Sequence, residues 1–282
     1  KGGPYDRKAA YIGGLSRQLF SGDRSDITIA TEMFFREVTK VINREPRIVV
    51  LDNISEILDA MRSDKLDTIF ANPIDYLALD HQINPDYRYT ITFGPSPQQR
   101  VYLVTQSGTQ IKSLAQLRGK RLTLPDGYIL GMTYLEVDLA KAGLPGPESF
   151  FSSIDYTDSS NAAVLNVFFN KADLAVTSDI AYSLAGELNP QVSQKIDILS
   201  VSEPFLPFIV GVNKRVPMFF LHPVDEILAD LKSQPKLQRI LSLFHATDVV
   251  KITSDQLETL RQLKRDYERY VSKRRHSALP AE

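Results

Sequence analysis

The sequence predicts an α/β protein built as two units in tandem, each a mainly parallel sheet flanked by helices. Short β-rich runs alternate with helical ones, the alternation resumes in the second half of the chain, and a length of 282 residues favours two domains over one small one. An amphipathic stripe closes the sequence and predicts a terminal helix.

The elements follow in order. DITIA, Asp26 to Ala30, is expected as a strand, followed by a helix from about Glu32 to Asn43 and a strand at RIVVL, Arg47 to Leu51. ISEILDAMRSDKL places Ile54, Ile57, Leu58 and Met61 on one helical face. DTIFA reads as the next strand, and Pro73 opens a helix over Ile74 to Asp80, since a first-turn proline removes no helical bond. RYTITF and RVYLVT are strands separated by GPSPQQ, and a short helix covers Ser113 to Leu117. KRLTL then leads through LPDG into a helix from about Gly131 to Ala142, which GLPGPES stops with glycine and proline. FFSSIDY, the helix NAAVLNVFFN, DLAVT, another short helix, KIDILSV and FIVGVN complete the second α/β unit. From Thr253 to about Arg275, Leu257, Leu260, Leu263, Tyr267, Tyr270 and Val271 form the closing stripe. Thr253 and Gln256 have capping-box spacing, and Lys273, Arg274 and Arg275 lie where a helix dipole favours cations.

Composition narrows the function. A net charge of −1 gives no global attraction to nucleic acid or an anionic membrane, so a small-molecule ligand is the first expectation. Cysteine is absent, which removes disulfides, thiolate nucleophiles and sulfur-ligated metals. No apolar run approaches the roughly 20 residues of a membrane helix, so no transmembrane segment is expected. KGGPYDRKAA does not read as a signal peptide; Lys1 to Pro4 read equally as a cloning remnant. The four histidines, His81, His222, His245 and His276, are dispersed without metal-ligand spacing, and HExxH, GxSxG, P-loop and GxGxxG motifs are lacking. No enzyme, cofactor or metal is implied.

LPDGYILGMTYLEVDLA, Leu124 to Ala140, sets a helix start directly after a strand, where free backbone N–H groups suit an anion. Three further stretches carry a family resemblance. DAMRSDKLDTIFANPIDYLAL, Asp59 to Leu79, contains an Asn-Pro-x-x-Tyr helix start; VYLVTQSGTQIKSLAQLRGKRLTLPD, Val101 to Asp126, contains I-x-S-L-x-x-L-x-G-K; and DSSNAAVLNVFFNKADLAVTSDIAYSL, Asp158 to Leu184, contains A-A-V-L followed by Ser-Asp. In order and spacing they resemble the phosphate/phosphite/phosphonate-binding (PhnD-like) type II periplasmic substrate-binding components of ABC transporters, over about Asp26 to Pro217.

The resemblance implies two lobes with a ligand cleft between them, lobe one being 1–97 plus 204–282 and lobe two 98–203. Crossings near Gln98 to Arg100 and Ser202 to Pro204 would act as a hinge. It implies ligand contacts from the loops after the strands: Thr31 and Glu32, Asn53, Asn72 with the Tyr76 phenol, and Arg100 as a cation. In lobe two it implies Ser159, Ser160 and Asn161 capping a helix, and Thr177, Ser178 and Asp179, while the strand-turn-helix itself makes Asp126, Gly127, Tyr128 and Thr133 candidates at the cleft wall. The chain departs from the family at Asn53, where an aromatic is usual, and at Ser160, where histidine is usual. PDGYILGMT also stands where several hydroxyls usually wrap the phosphoryl oxygens, leaving Thr133 as the one hydroxyl of that kind and Asp126 beside it. A carboxylate there favours a ligand with a donor or cationic group.

The function implied is capture of a small polar ligand, phosphonate or phosphate by inheritance, in the periplasm for the membrane permease of an ABC importer. The alternative is a sensing or accessory domain of the same fold working for a signalling receptor, with a diverged ligand.

Overall fold

The first strand lies upstream of its expected position. Ala9–Leu15 forms β1, and Asp26 to Ala30 belong instead to helix α1, Arg24–Thr39, in the computed structural model, which describes residues 8–15, 24–243 and 246–272. The β-branched residues of DITIA favour a strand only weakly, and packing overrides such a preference. α1 turns Phe34, Phe35 and Val38 onto a buried cluster and leaves Ile29 56% exposed. Thr31 and Glu32 therefore sit on a helix, not in a loop after a strand.

The chain divides into two units, Lys1–Gln98 with Leu206–Leu257, and Gln99–Phe205 with Glu258–Glu282. In unit one, β1 pairs in parallel with β2, Glu45–Leu51, on one side and with β3, Thr68–Ala71, on the other. Helix α2, Ile54–Arg62, and helix α3, Pro73–Leu79, follow β2 and β3. Strand β4, Ile83–Thr92, ends the first run of the unit.

Unit two opens with β5, Val101–Gln106. It continues through β6, Arg121–Pro125; α4, Ile129–Lys141; β7, Ser153–Thr157; α5, Ser160–Phe168; β8, Leu174–Ser178; α6, Asp179–Leu188; α7, Pro190–Lys195; and β9, Ile196–Val201. The short helix expected over Ser113 to Leu117 is a 3-10 turn, Leu114–Leu117, closed by a Ser113–Gln116 capping box. The chain then returns to unit one for β10, Ile209–Asn213; α8, Met218–Ala229; α9, Pro235–Ser242; and β11, Asp248–Lys251.

The sheet orders are β11-β4-β10-β3-β1-β2 and β7-β6-β8-β5-β9. Strands joined by β-α-β crossovers pair in parallel, as the alternation predicts. Strands that enter a unit after the chain has crossed from the other, β5 and β10, pair antiparallel to their neighbours, so both sheets are mixed where mainly parallel sheets were expected. At the crossing, Gln99 and Phe205 exchange backbone bonds of 2.8 and 2.7 Å.

The terminal helix, α10, Glu258–Asp266, continues into a π turn, Tyr267–Ser272, and packs on α4 of unit two, although residues 204–282 were expected with the first lobe. Leu260, Leu263 and Val271 are buried, Lys141 meets Asp266 at 2.6 Å, and the Thr259 hydroxyl donates to the Pro204 carbonyl. The Thr253 N–H donates to the Gln256 side chain, the half of the capping box that the spacing predicts. Lys273, Arg274, Arg275, His245 and His276 lie outside the described residues.

Candidate functional site

In unit two the register gathers several loops at one edge of the sheet. Pro125 lies opposite Thr157, Val101 opposite Ser178, and Tyr102 opposite Val201, so the C-terminal ends of β6, β7, β8 and β9 and the N-terminal end of β5 share that edge. Helices α4, α5 and α6 all start there, each with N–H groups that no helical carbonyl accepts. Three such starts side by side gather positive partial charge, and Arg100, one residue before β5, adds a full charge at the same edge.

Local chemistry fixes each start. The Ser159 hydroxyl accepts from Ala162 N at 3.1 Å, and the Ser178 hydroxyl accepts from Ala181 N at 3.1 Å; such caps each contribute about 1 kcal/mol. The buried Thr177 hydroxyl donates to the Ser160 carbonyl, tying the start of α5 to β8. Asp179 accepts from Ile180 N through Oδ1 and donates its own N–H to the Arg100 carbonyl at 3.0 Å. Arg100 donates from Nη1 to the Ser202 carbonyl at 2.6 Å, which holds the guanidinium at the edge with further N–H donors in its fork.

The opening turn is built differently. Asp126 is exposed and its N–H donates to the Thr157 carbonyl at 2.8 Å, while Gly127 takes φ +71°, where a side chain would be strained. The Tyr128 ring lies down on Gly131: a Cβ on that glycine would come within 2.4 Å of the ring and 2.8 Å of Val176. Burial, and then the charge of Asp179, raise the Tyr128 phenol above its ordinary pKa, so it stays neutral at physiological pH. Thr133 is buried within α4. The Asn161 Oδ1 is a buried acceptor at the start of α5 with no protein donor.

The residues expected in unit one are placed otherwise. Asn53 and Asn72 cap α2 and α3, accepting from Glu56 N and Asp75 N and donating to those same acids, so each amide is held by its own helix. The Tyr76 phenol does not reach out of the unit. Its side chain is fully buried and donates at 2.6 Å to Asp80, one helical turn on, which also takes Arg88 Nη2 at 2.8 Å. Burial and the Asp80 carboxylate raise its pKa. Glu32 pairs with Arg36 at 2.6 Å on the surface of α1.

Two contributors escaped the sequence. Ser202 is 2% exposed, accepts from Val101 N and donates to the Glu203 carbonyl, fixing the strand that carries Arg100. Gly131 accommodates the Tyr128 ring; a glycine within an otherwise helical run was its only signal.

Two mixed α/β units, with helix starts and an arginine assembled at the edge of one sheet, offer a place for a small anionic solute. The sequence profile of the ABC transporter, phosphonate, periplasmic substrate-binding protein family matches residues 21–257, and the chain belongs to that family. Membership makes it the periplasmic solute-binding component of an ABC importer, with a small-molecule ligand and a membrane permease as partners. No helix of the described residues is long and apolar enough to cross a membrane.

Solved structures share the fold. A Xanthomonas citri protein bound to ATP is 14% identical with a TM-score of 0.68, the match covering 94% of this chain and 100% of that one. A binding-protein component of an ABC phosphonate transporter from Pseudomonas aeruginosa is 15% identical with a TM-score of 0.66, covering 94% and 88%. PhnD1 from Prochlorococcus marinus in complex with methylphosphonate is 16% identical with a TM-score of 0.64, covering 94% and 99%. No curated protein sequence matches the chain.

Proposed function

We propose that the sheet edge of unit two holds the anionic head of a small phosphonate carrying a second, proton-donating group, and that the protein delivers this ligand without covalent chemistry. The observation that carries the reading is the alignment of the α4, α5 and α6 starts with Arg100 at one edge. Backbone N–H groups and a guanidinium suit phosphonyl oxygens, which accept several bonds at once. Family membership and the methylphosphonate held by PhnD1 support the phosphorus class.

The acceptors at the same edge support the second group. Asp126 would oppose a bare oxyanion, and the Asn161 Oδ1 is left without a protein donor. An ammonium or hydroxyl on the ligand supplies what both need. Isothermal titration with phosphate, phosphite, methylphosphonate and aminoethylphosphonate tests this. Aminoethylphosphonate is expected to bind at least about tenfold tighter than methylphosphonate, about 1.4 kcal/mol. Asp126→Ser should narrow or invert that gap by weakening the amino ligand and strengthening methylphosphonate. Silence from all four ligands refutes the phosphorus class, and an unchanged ratio in the variant removes Asp126 from the site.

A further inference from the structure

Unit one contains a cavity that the proposed site does not use. It offers about 340 Å³ between the sheet and helices α1 and α8 and is partly open to solvent. Ile12, Phe70 and Val212 come from the sheet side, and Phe35, Val38 and Val224 from the helical side. Protein interiors normally close such spaces, and an unfilled void weakens the fold in proportion to its volume. This one is more than twice the size of an apolar cavity of ~150 Å³ that stays dry and takes up benzene.

Several of its polar wall atoms are already engaged, while Thr31 and Thr68 add hydroxyls to the wall. The Tyr89 hydroxyl donates to Asp225 at 2.8 Å, the Thr39 hydroxyl donates to the Phe35 carbonyl at 2.8 Å, and the Asp67 carboxylate accepts from Tyr11 N at 2.8 Å. Arg44 lies with its guanidinium 3.9 Å from the centre of the Phe220 ring and donates to the Ala9 carbonyl. Arg44 and Asp67 are the two charged residues of the wall. A ligand there finds mostly hydrocarbon and ring faces, such as the Phe70–Phe208 stack at 5.3 Å between centroids. Thr31, expected at a polar ligand site, lines this apolar space instead.

We infer that unit one binds a compact, uncharged apolar molecule with a ring skeleton in this cavity, independently of the phosphonate site in unit two. Nothing in the wall is arranged for catalysis, so the ligand is held rather than transformed. Two consequences follow from the geometry. The site selects by volume and polarity, and filling the space from a wall residue should exclude the ligand without unfolding the unit.

Fluorescence titration with N-phenyl-1-naphthylamine, an uncharged apolar probe, tests the inference on the whole chain. Saturable one-to-one binding with blue-shifted emission is expected. Val224→Phe and Val216→Phe fill the cavity from different positions, and each should weaken the probe at least about tenfold while keeping the wild-type circular dichroism spectrum; should one misfold, the other gives the result. Asp126→Ser, in unit two, should leave probe binding unchanged whatever it does to phosphonates. Non-saturable binding, no binding, wild-type affinity in a folded filling variant, or loss of the probe in Asp126→Ser would each overturn the inference.

Discussion

Replacing Asp80 by alanine tests the most consequential departure from expectation, the inward-facing Tyr76. Both Tyr76 Oη at 2.6 Å and Arg88 Nη2 at 2.8 Å end on the same Asp80 oxygen. The arginine side chain is 8% exposed and the aspartate 23%, so the pair is largely shielded from solvent. Breaking a buried pair by removing one member costs about 3–5 kcal/mol, because the surviving charge is left without a counterion. The upper half of that range is expected, since Arg88 Nε is already buried without a partner and the guanidinium has little to turn to. Tyr76→Phe removes one bond to a charged acceptor and should cost about 1.5–3 kcal/mol. The two losses share an acceptor, so the double variant should fall short of their sum. Urea unfolding followed by circular dichroism measures all three, and ligand titration on Tyr76→Phe measures the other half of the claim. A cost under about 1 kcal/mol for Asp80→Ala would contradict the buried pair. A tenfold loss of ligand affinity in Tyr76→Phe, about 1.4 kcal/mol, would return the phenol to the ligand site.

Gly13→Ala would set a Cβ 2.6 Å from the Cδ1 of fully buried Leu66, and overpacking of this kind should lower the urea stability by about 1–3 kcal/mol; an unchanged midpoint would show that Leu66 yields freely. Asp173 is held below the usual carboxylate pKa, first by its side-chain bond from Arg121, so its folded pKa lies under its unfolded one. The pair therefore stabilises above about pH 4, and the benefit fades as pH falls through the depressed value. Asp173→Asn should accordingly lower the melting temperature at pH 7 and lose that deficit on acidification; a deficit constant in pH would refute the linkage. Gly131→Ala should weaken ligand binding through displacement of the Tyr128 ring, even though alanine favours the helix by about 1 kcal/mol. Titration with aminoethylphosphonate at unchanged affinity would exclude Tyr128 from the site.

Much of the fold was legible because its signals are local. RIVVL, DTIFA, KRLTL and DLAVT carry strand composition between turn residues, and they form β2, β3, β6 and β8. What escaped was set by contacts distant in sequence. β1 contains Gly13 and Gly14, which weaken strand propensity, yet Gly13 is small because Leu66 presses against it from 53 residues away. DITIA carries β-branched residues and still winds into α1, because Phe34, Phe35 and Val38 further along the helix bury against unit one. The direction in which β5 and β10 pair is invisible to alternation, which reports the faces of a strand and not its neighbours' polarity. The stripe over α10 announced a packing helix without naming the surface it covers, and that surface is α4.

The candidate site divides along the same line. Ser159 caps a helix where the sequence put a cap, and Ser178, Asn53 and Asn72, expected at the ligand, cap helices as well, since a cap is a bond over three residues. Whether a capping residue also faces a ligand depends on what else occupies its polar atoms. Asn53 and Asn72 have both amide atoms bonded to the third residue of their own helices, which orients each amide along its own helix start. Ser159 and Ser178 accept one N–H each, and a hydroxyl so used retains a proton to donate. Arg100 keeps most of its fork, and Asn161 holds an acceptor that the protein does not fill. Counting occupied atoms in this way selects Arg100, Asn161, Ser159, Ser178 and the Asp126 turn from sixteen expected positions, and it sets Tyr76, Asn53, Asn72 and Glu32 aside. The selected group lies within one unit and pairs donors with acceptors. A plain phosphate cradle would want donors alone, and this mixture is the physical reason to expect a ligand that both accepts and donates.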